Sequence, residues 1–106
     1  MLTNNYELKI TTKASEDLDE IYAYIASEIN NETAALNLLD DIEKSILGLK
    51  KFPFSCSYVE DINLKRKGYR KLIVKNYIAF YIVKEKDKKV IIMRVLYGRQ
   101  NYQDIV

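Results

Sequence analysis

Three segments in the last third of the sequence decide the fold: Arg70 to Lys75 (RKLIVK), Tyr77 to Lys84 (YIAFYIVK) and Val90 to Tyr97 (VIIMRVLY). All three are rich in Val, Ile, Tyr and Phe, which are the residues that favour strands. Asn76 and the polar residues 85–89 separate them, so the pattern predicts an antiparallel meander. Because the second segment begins with seven consecutive apolar residues, we expect it to be the central strand, covered on both faces.

The chain before these segments predicts a short strand and an amphipathic helix. Tyr6 to Ile10 alternates apolar and charged residues, which is typical of a half-buried strand. Thr11 and Thr12 can cap the helix, and Glu16 and Asp17 are expected in its first turn, where acids suit the helix dipole. Apolar residues at steps of three and four predict its buried face: Ala14, Leu18, Ile21, Tyr22, Ile25 and Ile29. The opposite face is expected to be acidic and solvated, with Glu16, Asp17, Asp19, Glu20 and Glu28.

A second amphipathic helix is predicted from about Glu32 to Lys50. Asn30-Asn31 can cap it, and Phe52-Pro53 ends it because proline cannot continue a helix. Its apolar face comprises Ala35, Leu38, Leu39, Ile42, Ile46 and Leu49. A polar loop is expected from Ser55 to Gly68. The predicted order is β-α-α-β-β-β, an α+β fold in which residues 1–106 form one domain and a helical hairpin packs on one face of a small, mainly antiparallel sheet.

Charge and composition exclude several classes of function. The formal net charge of +2 hides a division, because residues 65–106 carry all four arginines and most of the lysines. The sequence has no histidine, which excludes Ser-His and Cys-His nucleophiles and histidine-containing zinc sites. We therefore predict no metal and no cofactor. The lone Cys56 and the lack of an apolar run long enough to cross a bilayer predict a cytoplasmic protein without a membrane segment.

The candidate functional residues lie on and after the last strand. Strict alternation places Val90, Ile92, Arg94 and Leu96 on one face of it. Arg94 must either pair with a carboxylate or lie on a sheet face that the helices leave open. In the first case the tyrosines merely fill the sheet. In the second case a cationic surface forms that suits phosphate and base contacts, with Arg70, Arg94, Tyr97, Arg99 and Tyr102.

These segments, in this order, resemble the RelE/ParE superfamily of toxins from type II bacterial toxin-antitoxin systems. The resemblance rests on Arg94-Val-Leu-Tyr-Gly-Arg99, on the two strands before it, on the helical pattern from Asp17 to Ala26, and on Leu49-Lys-Lys-Phe-Pro53. It covers nearly the whole chain. It implies the β-α-α-β-β-β fold, growth inhibition, a role in plasmid stabilisation, and a cognate antitoxin that holds the toxin in a heterotetramer or larger complex.

The resemblance leaves the target open between two mechanisms. ParE-like members inhibit DNA gyrase by binding, and the long helical hairpin and the Leu-Tyr-Gly-Arg tail are more typical of them. RelE-like members cleave mRNA on the ribosome, so an enzyme of this kind would be a metal-independent endoribonuclease. Its candidate catalytic residues would be Arg70, Arg94, Arg99 and Tyr102. A nontoxic interaction module is the third alternative.

Three positions depart from the pattern of the nucleases. Leu72 stands where some nucleases carry lysine, and Ile78 stands where many members carry arginine. Gln100 falls at or beside a catalytic basic position. The expectation that follows is a toxin that binds its target rather than cleaving it, with Arg94 and Arg99 as binding residues.

Overall fold

The computed structural model describes residues 5–99, which form a four-stranded sheet with helices on both faces. The strands are β1 (Glu7–Ile10), β2 (Arg70–Val74), β3 (Tyr77–Lys84) and β4 (Lys89–Tyr97), and the helices are α1 (Thr12–Ala23), α2 (Glu32–Gly48) and α3 (Ile62–Arg66). Strands β2, β3 and β4 form the predicted antiparallel meander, and β1 pairs in parallel with β4, giving the order β1-β4-β3-β2. The α+β prediction is confirmed. None of the helices within residues 5–99 is long and apolar enough to span a bilayer.

Side-chain caps start each of the three α-helices. Thr11 Oγ1 accepts the Ala14 N–H at 3.1 Å and Asn31 Oδ1 accepts the Ala34 N–H at 3.0 Å, as the sequence predicted. Asp61 caps α3 in the same way, within the stretch that was predicted to be a polar loop. That prediction was wrong because the helix is only five residues long, too short to show an apolar period.

Two cores cover the sheet. The larger lies under the α1–α2 hairpin and joins Ile21, Leu38 and Ile42 to Tyr81 and Ile92. The smaller lies on the opposite face, where the segment containing α3 covers the sheet with Val59, Leu64 and Tyr69 against Phe80 and Leu96. Strand β3 is therefore covered on both faces, as expected of a strand with seven apolar residues in succession. It shares the centre of the sheet with β4.

A β-bulge shifts the alternation of β4. Tyr81 pairs with Ile92, whereas the preceding residue of β3, Phe80, pairs with Arg94, so Met93 is the extra residue of β4. Beyond the bulge the faces exchange: Val95 joins Ile92 under the helices, and Leu96 packs in the opposite core. The prediction that Leu96 shares a face with Val90 and Ile92 was therefore wrong.

The end of the first helix also departs from the regular period. Residues Tyr24–Glu28 form a π-helical segment, in which the Ile29 N–H donates to the Tyr24 carbonyl five residues earlier. Asn30 then turns the chain with a φ of 57°. This wider turn leaves Ile29 55% exposed, although the three-four spacing predicted it to be buried.

Candidate functional site

A buried ion pair joins the first helix to the last strand. Arg94 donates from Nε to Asp17 Oδ2 at 2.7 Å and from Nη2 to Asp17 Oδ1 at 2.8 Å, which is bidentate geometry. Asp17 Oδ2 also accepts the backbone N–H of Val95 at 2.9 Å. The side chains of Asp17 and Arg94 are only 7% and 15% exposed. Of the two alternatives for Arg94, the structure has the pairing with a carboxylate.

The path of the chain explains why Asp17 reaches this position. Pairing between β1 and β4 ends at Ile92, where the Thr11 N–H donates to the Ile92 carbonyl at 3.1 Å. The Thr11 hydroxyl donates to the Met93 carbonyl at 3.0 Å, so α1 begins against the edge of β4 just beyond the last β1 partner. Asp17, one and a half turns later, supplies an acceptor to the Val95 N–H there.

Two sequence predictions about Asp17 were therefore wrong. It does not lie in the first turn, because α1 begins at Thr12, and it is buried rather than part of the solvated acidic face. The signal was present in the spacing, since Asp17 follows Ala14 by three residues and precedes Ile21 by four, and both of these are buried. The hydrogen bonds that Arg94 donates to Asp17 raise the pKa of its guanidinium, so the arginine stays charged.

A groove of about 920 Å³ opens beside this ion pair. Its walls come from α1 and the π-helical segment, the first half of α2, the β2–β3 turn and the end of β4. Tyr77 and Tyr97 meet edge to face in it, with ring centroids 5.7 Å apart, and Tyr24 is 56% exposed. Burial is the main cause that raises the pKa of the Tyr77 hydroxyl, so this phenol is neutral and can donate a hydrogen bond.

The charged groups of the groove are balanced rather than uniformly basic. Lys75 Nζ lies 3.5 Å from Asp41 Oδ2, and Glu20 adds a further carboxylate to the lining. With Ile29 and the tyrosine rings, the groove offers apolar surface, hydroxyls and both signs of charge. This composition suits the binding of a polypeptide better than that of a bare phosphate.

The predicted site residues divide between two places. Arg94 and Tyr97 line the groove, and the exposed Arg99 lines a small cavity of about 170 Å³ next to it, which also includes Tyr97. Tyr102 lies outside the described residues, as does Gln100. Other groove residues were not predicted from the sequence as site residues, among them Tyr24, Asp41, Lys75 and Tyr77. They come from three separate segments, which only the tertiary fold brings together.

Arg70 lies apart from the groove. It begins β2, the outer strand, two strands away from Arg94. Its Nη1 donates to the Cys56 carbonyl at 2.6 Å, and its guanidinium lies 4.0 Å from the centroid of the Tyr58 ring and 5.2 Å from that of Phe54. Arg70 thus fixes the loop that runs along the edge of β2 and does not join a common surface with Arg94.

Two positions that were compared with basic positions of the nucleases are occupied by apolar side chains packed in the cores. Leu72 packs against the core under the helices, and Ile78 packs against the core on the opposite face. With Arg94 bound to Asp17 and Arg70 bound to Cys56 and Tyr58, residues 5–99 present no convergent group of free cations and bases. Nor does this part of the chain contain a group of three or more His, Cys, Asp and Glu side chains that could hold a metal ion.

Comparison with known proteins identifies relatives in sequence and in structure. The family model described as the ParE toxin of the type II toxin-antitoxin system, parDE, matches residues 8–102. The chromosomal ParDE toxin-antitoxin system of P. aeruginosa is similar in structure, with a TM-score of 0.72 and 26% identity, over 90% of this chain and 98% of that chain. The comparison with curated proteins gave no match.

Two more distant structures share the fold. The RelBE2 toxin-antitoxin complex of Mycobacterium tuberculosis aligns with a TM-score of 0.61 and 17% identity, over 92% of this chain and 94% of that chain. A doubly substituted variant of the E. coli toxin RelE in the free state aligns with a TM-score of 0.63 and 11% identity, over 90% of this chain and 85% of that chain. Their low identities carry an argument about fold alone.

Proposed function

Because the chain belongs to the ParE toxin family of type II toxin-antitoxin systems, we propose that it inhibits growth by binding DNA gyrase and that a cognate antitoxin neutralises it. The observation that favours binding over RNA cleavage is that Arg70 and Arg94 are both held by partners within the chain. Arg94 is held by Asp17, and Arg70 is held by Cys56 and two rings. Cleavage of RNA without a metal needs free cations and a base around the reacting phosphate, and a toxin that acts by binding needs neither.

The groove supports this proposal as the surface for protein partners. Tyr24, Tyr77 and Tyr97 present aromatic rings with hydroxyls, and such residues are enriched at protein interfaces and at their energetic centres. Arg99, exposed beside Tyr97, is placed to bind a carboxylate of a partner. An antitoxin that fills the groove would also cover these residues against gyrase, which gives neutralisation a direct physical cause.

The assembly and location follow from the same proposal. The similar structure from P. aeruginosa is named as a ParDE toxin-antitoxin system, which supports an antitoxin partner for this chain. We propose that toxin and antitoxin form a heterotetramer or larger complex. Gyrase acts in the cytoplasm, so the proposal implies a cytoplasmic toxin.

The test is a supercoiling assay with purified gyrase and relaxed plasmid. We expect the toxin to inhibit supercoiling at micromolar concentration and the antitoxin to restore it. The same preparation is added to a translating extract, where we expect intact mRNA. Cleavage at codon positions with unaffected gyrase would instead assign the RelE-like mechanism. Normal growth after induction without antitoxin, with neither effect in vitro, would indicate a nontoxic interaction module.

A further inference from the structure

A second exposed surface, sharing no residue with the groove, lies on the turn that follows α2. The Ser55 N–H donates to the Phe52 carbonyl at 3.2 Å and closes a tight turn around Pro53. The buried Tyr81 donates its hydroxyl to the Pro53 carbonyl at 2.9 Å, which fixes this turn to the central strand. Phe52 is 68% exposed and Phe54 49% exposed. A rigid support therefore holds two apolar rings partly in solvent.

Cations and rings alternate across this surface. Arg70 lies between the rings of Phe54 and Tyr58, at 5.2 and 4.0 Å from their centroids. On the other side, Phe54 meets the Tyr6 ring edge to face at 6.2 Å, and Lys88 Nζ lies 5.5 Å from the Tyr6 centroid. We call this set the cation-ring row: Lys88, Tyr6, Phe54, Arg70 and Tyr58. Tyr6 is buried, so the rings that the row presents to solvent are those of Phe54 and Tyr58.

Lysines gather at the same end of the molecule. The Tyr6 N–H donates to the Lys50 carbonyl and the Glu7 N–H to the Lys88 carbonyl, both at 2.8 Å, and Lys84 pairs with Lys89 across the β3–β4 turn. The lysines of this end are Lys50, Lys51, Lys84, Lys86, Lys88 and Lys89. Within residues 5–99, none of the six forms an ion pair. The acids among them are Glu7, Glu85 and Asp87, so this end carries a net positive charge.

We propose that the cation-ring row, the exposed Phe52 and the six lysines bind single-stranded nucleic acid. Lysine ammonium groups neutralise backbone phosphates, and an unpaired base stacks on an exposed ring. Lysine is depleted at protein interfaces, so a surface with six lysines fits a phosphate chain better than a protein partner. This activity is binding without cleavage. It goes beyond the proposed binding of gyrase and does not depend on it.

Fluorescence anisotropy tests the proposal with labelled oligothymidylate and oligouridylate of about 16 nucleotides and a duplex of equal length. The full chain is expected to bind a single strand more tightly than the duplex, because only unpaired bases can stack on the rings. Comparison of the DNA strand, oligothymidylate, with the RNA strand, oligouridylate, shows which of the two the surface prefers. Failure to bind either single strand at about 50 mM salt, or equal binding of the duplex, would overturn the proposal.

Two variants with matched controls separate the rings from the charges. Phe52→Ala is expected to weaken single-strand binding by about fivefold or more, whereas Leu36→Ala, at an exposed site on α2, leaves it unchanged. Replacement of Lys51, Lys86 and Lys88 by Gln is expected to reduce the slope of log affinity against log salt by about 2. The same change at Lys13, Lys65 and Lys67, which are exposed and form no ion pair within residues 5–99, is its control.

Folding of each variant is verified by its thermal unfolding curve. The proposal would be contradicted if each of the two site variants bound the oligonucleotide as its control does. Polyglutamate of equal charge is tested as a competitor beside the unlabelled strand. If it displaces the labelled oligonucleotide as effectively as the unlabelled strand does, the surface binds acidic polypeptides and the proposal is overturned. A groove variant that loses gyrase inhibition but keeps oligonucleotide binding would show that the two surfaces act separately.

Discussion

At the scale of single residues, Asp17 joins two elements of the structure through three hydrogen bonds. It lies on α1, binds the Arg94 side chain on β4 and accepts the Val95 backbone N–H at the edge of that strand. Three hydrogen bonds satisfy the oxygens of this carboxylate, although Asp17 is only 6% exposed. The attraction between Asp17 and Arg94 offsets the cost of removing the two charges from water only while both residues are present.

Replacing Asp17 by Asn should therefore destabilise the fold. The variant leaves the Arg94 charge mostly buried without a counterion, and we expect the free energy of unfolding to fall by about 3 kcal/mol. Because the chain has no tryptophan, urea unfolding is followed by far-ultraviolet circular dichroism. Asp19→Asn, at an exposed site on the same helix, is the control and should change stability by less than about 0.5 kcal/mol. Equal stability of the two variants would show that the ion pair is energetically neutral.

The buried hydroxyl of Tyr81 leads to a second prediction, which concerns the dependence of stability on pH. Burial raises the pKa of its hydroxyl above the ordinary value of 10.0, and the neighbouring Cys56 adds to the shift. The unfolded chain ionises this tyrosine above about pH 10 while the folded chain keeps it protonated, so its contribution to stability is full below pH 10 and falls as pH rises. Tyr81→Phe loses the hydrogen bond to Pro53, which should cost about 1 kcal/mol at pH 7.

The pH dependence separates this effect from simple loss of packing. Urea unfolding of the wild type and Tyr81→Phe is compared at pH 7 and at about pH 11, above the reference tyrosine pKa. We expect the difference in stability between them to shrink at the higher pH. A difference that is the same at both values would mean that the Tyr81 hydroxyl titrates alike in the folded and unfolded chains.

At the scale of elements, the type and order of the long segments could be predicted from periodicity and caps. Thr11 and Asn31 each cap the helix that their position indicates, and the apolar runs of β3 and β4 lie at the centre of the sheet. The bulge at Met93 and the π-helical segment Tyr24–Glu28 could not be predicted, because each inserts one extra residue without a marker such as glycine or proline. Both irregularities lie beside the groove, and both alter which side chains face it.

The assignment of Thr11 as the cap of α1 can be tested by comparing substitutions of Thr11 and of the next residue, Thr12. Thr11→Ala removes an acceptor for the Ala14 N–H and a donor to the Met93 carbonyl, so it loosens both α1 and its contact with β4. We expect a loss of about 1 to 2 kcal/mol in the free energy of unfolding. Thr12→Ala, at the exposed first residue of α1, should have an effect near zero. A larger effect of Thr12→Ala than of Thr11→Ala would contradict the assigned cap.

At the scale of the whole molecule, the division of charge along the sequence becomes a division in space, although not the one that alternation predicted. The arginines do not form one cationic sheet face, because the segment with α3 covers that face and Asp17 binds Arg94. Six lysines that form no ion pair within residues 5–99 lie at the β3–β4 turn and just after α2, and the tyrosine-lined groove lies at the end of β4. Sequence reasoning could predict the fold and the family but not these two surfaces, since each joins residues from distant segments.

We propose that this ParE family member acts by binding gyrase through the groove. The most direct measurement is the concentration of toxin that halves the rate of supercoiling by purified gyrase, for the wild type, for Tyr24→Ala with Tyr97→Ala, and for Leu36→Ala. We expect micromolar inhibition by the wild type and by Leu36→Ala. Truncation of one tyrosine at the centre of an interface costs about 2 kcal/mol of binding free energy, so the double variant should inhibit at least about tenfold less well. Equal inhibition by all three proteins, or no inhibition by the wild type, would show that the toxin does not act by binding gyrase through the groove.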